Sequence, residues 1–468
     1  MEILSQREYI MLFSPEIFKA YDIRGLVKGQ LSEELAYRVG RAFITFLRSG
    51  GDLSDGQAVV VGRDMRESSP ILADAIMKGI QDEGVDVVNI GLSTTPLFNF
   101  ACANFPEYAG GIMVTASHNP SEYNGFKMTL GNALPVGKNN GMEAIRDLVE
   151  KNDFIGQEKK GLITTRDVFS EYLERIFELV RPEGIKPLKI VIDAGNGMAS
   201  ATFPRMLKHL PVEVTYLYLE PDGTFPNHEA NPLKSETLKE LQKRVVLTGA
   251  NFGFALDGDA DRIGLVDEKG NVVDPSIVGA IVGLEVLRSH EGDAHMLYDL
   301  RSSMVVKEVW EKAGATTEMC MVGHALIKKM MSVKKADFAS ELSQHLYYAD
   351  IYNLESTDLS LLYILQLLSR EGRSLSQLIR PYQKYFHSGE VNFVVEDKND
   401  IISAVKKMYE SDADQVSHLD GLWLKMPWGI ISLRSSNTEP VLRLNLEATT
   451  REALDSELSR IKKLISSS

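Results

Sequence analysis

Gly110-Gly111-Ile112-Met113-Val114-Thr115-Ala116-Ser117-His118-Asn119-Pro120 is a short apolar run of strand character that empties into a polar loop. That reading puts Ser117 just beyond the carboxyl end of a strand, on a loop held by Pro120, with its hydroxyl exposed and held still. A hydroxyl so placed is a candidate nucleophile, and equally a turn hydroxyl bonding its own backbone. The same unit of strand and turn recurs on either side. Residues 58–61 read as a buried strand ending at Gly62-Arg63-Asp64, followed by a helical pattern over 69–80. Residues 85–90 form the next strand, closed by Gly91 and the Thr94-Thr95-Pro96 turn.

Downstream, a helix over 172–180 is broken by Arg181-Pro182, and a strand over 188–193 leads into a Gly195-Asn196-Gly197 turn. A strand over 252–256 runs into Asp257. A third block opens near Gly270, with a strand at 295–300 and a helix at 303–313. The alternation predicts α/β layers in successive blocks. From Ser388 the texture changes to short strands and one long helix over 450–465, which predicts a smaller α+β domain.

A chain of 468 residues is too long for one core and splits into roughly three or four domains, at about 100 to 200 residues each. Hydrophobic content of 44% and charged content of 25% are ordinary for soluble globular proteins. Cys102 and Cys320, the only cysteines, exclude a disulfide framework and a cysteine-based zinc site and suit a reducing compartment. No apolar run reaches about 18 residues, and residues 1–15 carry Glu2 and Glu8 instead of a basic leader, so the expected location is the cytoplasm, with no membrane partner. A net charge of −14 argues against nucleic-acid binding, although a small basic pocket can still focus an anionic substrate.

Three further stretches carry chemistry. Asp257-Gly258-Asp259-Ala260-Asp261-Arg262 places three carboxylates at alternate positions after an apolar strand, where they repel unless a hard cation sits between them. The pattern favours a Mg²⁺ site over an EF-hand calcium loop, because Arg262 occupies the sixth position, where the sharp turn needs glycine. A solvated acidic turn is the structural alternative. Arg434-Ser435-Ser436-Asn437-Thr438-Glu439-Pro440, between two strand patterns, groups a guanidinium fork, hydroxyls and an amide suited to a phosphate dianion, or forms a polar hairpin loop. In Ser340-Glu341-Leu342-Ser343-Gln344-His345, a carboxylate and a hydroxyl two residues apart on an extended loop can share the vicinal hydroxyls of a sugar, or be merely solvated.

In this order and spacing, the four loops resemble those of the α-D-phosphohexomutase superfamily, most closely its phosphomannomutase/phosphoglucomutase branch. Further matches are Phe18-Lys19-Ala20-Tyr21-Asp22-Ile23-Arg24-Gly25, Gly62-Arg63-Asp64, Asp193-Ala194-Gly195-Asn196-Gly197 and Gly323-His324-Ala325-Leu326-Ile327-Lys328. The resemblance implies a heart-shaped α/β molecule of four domains around a central cleft: three similar α/β domains with mixed sheets and a smaller α+β C-terminal domain. Their expected bounds are 1–163 (phosphoserine loop), 164–265 (metal loop), 266–380 (sugar loop) and 381–468 (phosphate loop).

The resemblance implies a reversible phosphoryl transfer between C1 and C6 of a hexose phosphate, through phosphoserine 117 and a hexose 1,6-bisphosphate. Asp257, Asp259, Asp261 and phosphorylated Ser117 would hold Mg²⁺. Arg24, Lys127 and Arg262 would stabilise the transferring group, with His118 or Lys127 moving the proton. Arg434, Ser436, Asn437 and Thr438 would grip the other phosphate. Glu341 and Ser343 would hold the 3- and 4-hydroxyls, leaving the 2-position nearly unread. Tyr21, Arg301, His324, Lys328, His345 and Arg443 match family positions near substrate.

Small-molecule hexose phosphates are the expected partners, and the expected assembly is a monomer or weak homodimer. Asn437 and Leu342 resemble the mannose/glucose branch, and phosphoglucosamine mutase is the alternative within the superfamily. A metal-dependent sugar phosphatase and a non-catalytic sugar-phosphate sensor on the same scaffold are the alternatives of another class. In one place the chain departs from the pattern: Ser340 and Gln344 replace the two glycines that usually frame the sugar loop, and the segment 347–360 lacks the usual glycine and aspartate richness. If either replaced position needs positive φ, restoring glycine should raise kcat/KM.

Overall fold

The computed structural model describes residues 14–395, 397–435 and 441–466. They fall into two compact units, one of the described residues up to 168 with 222–226 and one of 169–221 with the described residues from 227 on.

The first unit is built on a six-stranded sheet of β1 (Ile23–Leu26), β2 (Ala58–Arg63), β3 (Val87–Leu92), β4 (Tyr108–Val114), β5 (Tyr123–Leu130) and β6 (Ile163–Thr165), in the order β1-β5-β4-β2-β3-β6. The β4-β2-β3-β6 pairs are parallel and the β1-β5 and β5-β4 pairs antiparallel, so the sheet is mixed. Every residue of β4 is buried, as expected of a central strand covered on both faces. The helix Glu33–Gly50 packs an apolar stripe of Leu35, Val39, Phe43 and Leu47 into the core. Ser32 caps its first turn by accepting from Leu35 N at 3.1 Å, and Gly51 stops it with φ 77°.

The second unit carries three sheets. The first consists of β7 (Leu188–Asp193), β8 (Val212–Leu217), β9 (Phe252–Leu256) and β10 (Ile263–Asp267), in the order β10-β9-β7-β8. The next comprises β11 (His295–Asp299), β12 (Thr316–Cys320), β13 (Phe338–Ser340), β14 (Leu346–Tyr348) and β15 (Leu354–Glu355), in the order β12-β11-β13-β14-β15. Both mix parallel and antiparallel pairs. The last sheet, β16 (Phe386–Phe393), β17 (Gln415–Ser417), β18 (Leu422–Met426), β19 (Gly429–Ser435) and β20 (Leu442–Ala448), is antiparallel throughout, in the order β16-β20-β19-β18-β17. Three mixed α/β layers and a C-terminal sheet therefore agree with the expected fold class. The C-terminal region holds two α-helices among its described residues, Lys398–Tyr409 and Arg451–Ser466, where one long helix was expected.

The helix Thr357–Glu371 has no counterpart in the sequence reading, because it is apolar nearly all round and shows no amphipathic period. Its N-terminus is a buried polar knot. Ser356 Oγ accepts from Leu359 N at 3.1 Å and lies 2.8 Å from the Tyr172 hydroxyl, which donates to Asp358 Oδ2 at 3.0 Å. Burial pushes the Asp358 carboxyl up to about 6, against the pull of hydrogen bonds from Thr202 and Tyr172. Native Asp358 therefore holds its proton better than the unfolded chain, whose carboxyl titrates near pH ~4. That advantage is complete below pH ~4 and lost as pH rises through about 6. Asp358→Asn, which stays neutral and still accepts from Tyr172, should raise Tm at pH 7.5 by an amount equivalent to about 3 kcal/mol. In a thermal-melt series, the gap should close by pH ~4.

Candidate active site

Thr115-Ala116-Ser117 continues β4 into a turn in which Ser117 takes φ 51°, a left-handed conformation that costs a non-glycine residue about 1–2 kcal/mol. Ser117 N donates to Thr115 Oγ1 at 2.9 Å, and Ser117 Oγ lies 3.2 Å from His118 Nδ1. The loop is held still, as expected, but Ser117 is not exposed: it is 2% accessible. The loop is tied down by Arg66, a residue the sequence reading passed over. Its buried guanidinium uses all five N–H donors, to Asp64 Oδ2 (3.1 Å) and to the carbonyls of Ser117 (2.9 Å), Asn119 (2.6 Å), Pro120 (2.7 Å) and Tyr123 (3.0 Å). Phe225 stacks beneath it at 5.1 Å. Loop carbonyls that would otherwise need water are thus satisfied internally. The neighbouring Gly62-Arg63-Asp64 motif was the only signal, and it ends two residues short of Arg66. In the same unit, Arg24 donates to Asn119 Oδ1 at 2.8 Å and pairs with Asp22. Lys127 lies opposite Met113 in the β4–β5 register, and Tyr21 is half-buried beside the start of β1.

In the second unit, β9 delivers Asp257, Asp259 and Asp261 into a loop where they are 0%, 0% and 3% exposed. One oxygen from each lies within 4.8 Å of the others. Asp257 Oδ1 accepts from the N–H groups of Asp261 (3.0 Å) and Arg262 (3.2 Å), closing the loop on itself. The Asp193–Gly197 turn seats it: Met198 N donates to Gly258 O at 2.9 Å, and a Cβ on Gly197 would stand 2.7 Å from that oxygen. Three buried carboxylate oxygens converging on one point fit a hard divalent cation. This favours the metal-site reading over a solvated acidic turn.

Glu341-Leu342-Ser343-Gln344 forms a tight turn between β13 and β14, closed by Gln344 N on Glu341 O at 2.9 Å, where an extended loop was expected. His345 Nδ1 lies 3.1 Å from Glu341 Oε2 and 3.0 Å from Ser343 Oγ, and its Nε2 is 3.3 Å from Asp261 Oδ1. Burial favours the neutral imidazole and so does Arg262, whose Nε is 3.2 Å away, yet the flanking carboxylates win and hold His345 up to about 9. Glu341 is driven the other way. Burial would raise it, but His345, Arg301 and the Tyr347 hydroxyl (2.9 Å) keep its carboxylate well below the usual range. Arg301 reaches both Asp299 (2.6 Å) and Glu341 (3.2 Å), fixing the acid in place.

Arg434 and Arg443 face each other across β19 and β20, and Glu390 on β16 pairs with both, at 3.4 and 3.0 Å. Arg434 is buried beside Arg301, and burial together with that like charge lowers its affinity for a proton. Ser436, Asn437 and Thr438 lie outside the described residues. His324 opens the helix His324–Lys334 and is half-buried. Lys328, one turn later, is 2% exposed, with its ammonium spent on Glu355 at 2.5 Å.

The two replaced glycines separate cleanly. Ser340 lies in β13 with ordinary backbone, and its side chain fills the space above Gly279, where a Cβ would come within 2.0 Å of Ser340 Oγ. Gln344 takes φ 72°, the conformation its glycine would have adopted freely. Only half of the expected gain survives. Gln344→Gly should raise Tm, by relief of about 1 kcal/mol of backbone strain, and raise kcat/KM, whereas Ser340→Gly should lower Tm by opening a small void. Paired thermal melts and steady-state kinetics on the two variants check this.

A buried acidic triad at the tip of an α/β layer, with a guanidinium-rich sheet in the same unit, suits an enzyme that handles anionic substrates with the help of a cation. The comparisons make the class specific. Models of phosphoglucomutase/phosphomannomutase alpha/beta/alpha domains I, II and III match residues 15–156, 167–270 and 274–385, and that of the C-terminal domain matches 390–464. A phosphomannomutase of Methanocaldococcus jannaschii is 37% identical over 454 residues, covering 96% of this chain and 97% of its own. A phosphoglucomutase of Neisseria gonorrhoeae is 35% identical over 462 residues, covering 97% of each. A solved phosphoglucomutase/phosphomannomutase family protein from Burkholderia thailandensis superposes with TM-score 0.88 at 33% identity, covering 97% of this chain and 98% of that one. The chain belongs to the phosphoglucomutase/phosphomannomutase family, and it is a phosphohexomutase, an enzyme of the isomerase class. Among the described residues, no helix is long and apolar enough to cross a membrane.

Proposed function

We propose that the protein moves a phosphoryl group reversibly between C1 and C6 of mannose phosphate, and of glucose phosphate, through phosphoserine 117 and a hexose 1,6-bisphosphate. The convergence of three buried carboxylates in a chain of this family carries the proposal. It is supported by a serine held in a strained, immobile turn. The bond from phosphorus to Ser117 Oγ breaks as one to the sugar hydroxyl forms, and the hydroxyl's proton passes to Lys127 or His118. After the bisphosphate turns over, its other phosphate returns to Ser117. A Mg²⁺ ion at Asp257, Asp259 and Asp261 would supply charge neutralisation for the transferring group.

The chain's own residues do the rest. Arg24 and Arg262 add positive charge around the reacting group, while Arg434, Arg443, Ser436, Asn437 and Thr438 grip the resting phosphate. Glu341, kept ionised, accepts from the sugar hydroxyls together with Ser343, while His345, 3.1 Å from Glu341 and 3.0 Å from Ser343, orients both. Tyr21, Arg301 and His324 complete the substrate contacts. The same reading carries domain bounds at 1–163, 164–265, 266–380 and 381–468, a cytoplasmic location and a monomer or weak homodimer.

The test compares kcat/KM on mannose, glucose and glucosamine 1-phosphates, with Mg²⁺ and a trace of hexose 1,6-bisphosphate. The mannose and glucose substrates should turn over at similar rates and glucosamine 1-phosphate far more slowly. Preference for glucosamine 1-phosphate, or release of inorganic phosphate in place of the 6-phosphate, would overturn the assignment.

A further inference from the structure

The loop of three aspartates contains one residue whose backbone its own chemistry does not favour. Ala260, between Asp259 and Asp261, takes φ 58° and is wholly buried. Relaxation of Ala260 toward an ordinary conformation would turn the flanking carboxylates away from each other, so something must hold it. Ala260 N donates to Asp257 O at 3.2 Å inside the loop. From outside, Thr357 Oγ1 donates to Ala260 O at 2.7 Å, with Thr357 2% exposed.

Thr357 is in turn immobile. It is the first residue of the helix Thr357–Glu371, and its two neighbours are tied down by one hydroxyl, Tyr172 being 2.8 Å from Ser356 Oγ and 3.0 Å from Asp358 Oδ2. A hydroxyl on this anchored helix end thus reaches the carbonyl between two aspartates of the triad. The contact falls in the segment 347–360, which lacks the family's usual glycine and aspartate richness.

We propose that Thr357 is a positioning residue for the carboxylate triad: its hydroxyl holds Ala260 in the left-handed conformation that keeps Asp259 and Asp261 converged. The inference rests on the metal-site reading above, and the experiment separates the two. Apoprotein is titrated with Mn²⁺, free ion being followed by electron paramagnetic resonance, for the parent, Thr357→Val and Thr357→Ser. The parent should bind Mn²⁺ at this site. Thr357→Val should bind it at least about tenfold more weakly, the size of effect seen when groups orienting metal ligands are removed, and Thr357→Ser should match the parent within about twofold.

In turnover, Thr357→Val should show an unchanged KM for hexose phosphate and a kcat that raised Mg²⁺ restores. Adding Ala260→Gly to Thr357→Val should recover part of the Mn²⁺ affinity, because glycine adopts this conformation freely. Equal Mn²⁺ affinity in the parent and Thr357→Val would overturn the inference and leave the metal site standing. Absence of Mn²⁺ binding by the parent would remove both. If the valine variant does not fold, Thr357→Ala removes the same hydroxyl without adding a methyl and carries the same expectation.

Discussion

Ser117→Ala is expected to lower mutase kcat by at least about 10³-fold, because the variant has no oxygen on which to store the phosphoryl group between half-reactions. The fold should survive. Alanine tolerates the φ of 51° no worse than serine, and the bonds from Arg66 to the loop's backbone carbonyls remain in place. Intact-mass spectrometry adds a second readout: the parent should carry up to one phosphate at Ser117 and the variant none there. Full activity in Ser117→Ala would sink the phosphoserine assignment.

Asp259→Asn is expected to move apo stability and metal response in opposite directions. With no cation bound, three buried carboxylates within 4.8 Å repel by on the order of 3 kcal/mol per pair at an effective dielectric of about 20. Removing one charge should therefore raise the Tm of metal-free protein. The same change removes a ligand, so the Tm rise on adding Mg²⁺, which follows RT ln(1 + [L]/Kd), should nearly vanish, and kcat/KM should fall by at least about 10²-fold. Melts of parent and variant in EDTA and in Mg²⁺ test both signs at once. A variant that is less stable in EDTA and equally stabilised by Mg²⁺ would contradict the triad's proposed role.

The core strands were legible because burial leaves a strong local mark. Residues 252–256 are an apolar run and 188–193 carry the apolar centre Ile190-Val191-Ile192, each bounded by turn residues, and they form β9 and β7 with those bounds. The helix Thr357–Glu371 was not legible for the same reason: buried all round, it shows no polar face to set a period. Residue types at the candidate site were legible wherever chemistry demands a particular atom, as with three carboxylates or a serine after a strand. Arg66 was not, since an arginine near a turn has no distinctive spacing until its four carbonyl partners arrive from a loop about fifty residues away.

The amino-acid sequence by itself determined the class of fold and the order of the chemistry-bearing loops, because both follow from local periodicity and from residue types that admit few substitutes. Only the tertiary structure decided how those groups stand: Ser117 buried instead of exposed, Lys328 spent on Glu355, Ser340 at ease above Gly279 while Gln344 bears the strain, and Thr357 bonded to the loop between two aspartates. Each depends on what packs against a residue from far along the chain. A group's exposure, charge state and backbone strain are properties of that surrounding shell, and no window of sequence contains it.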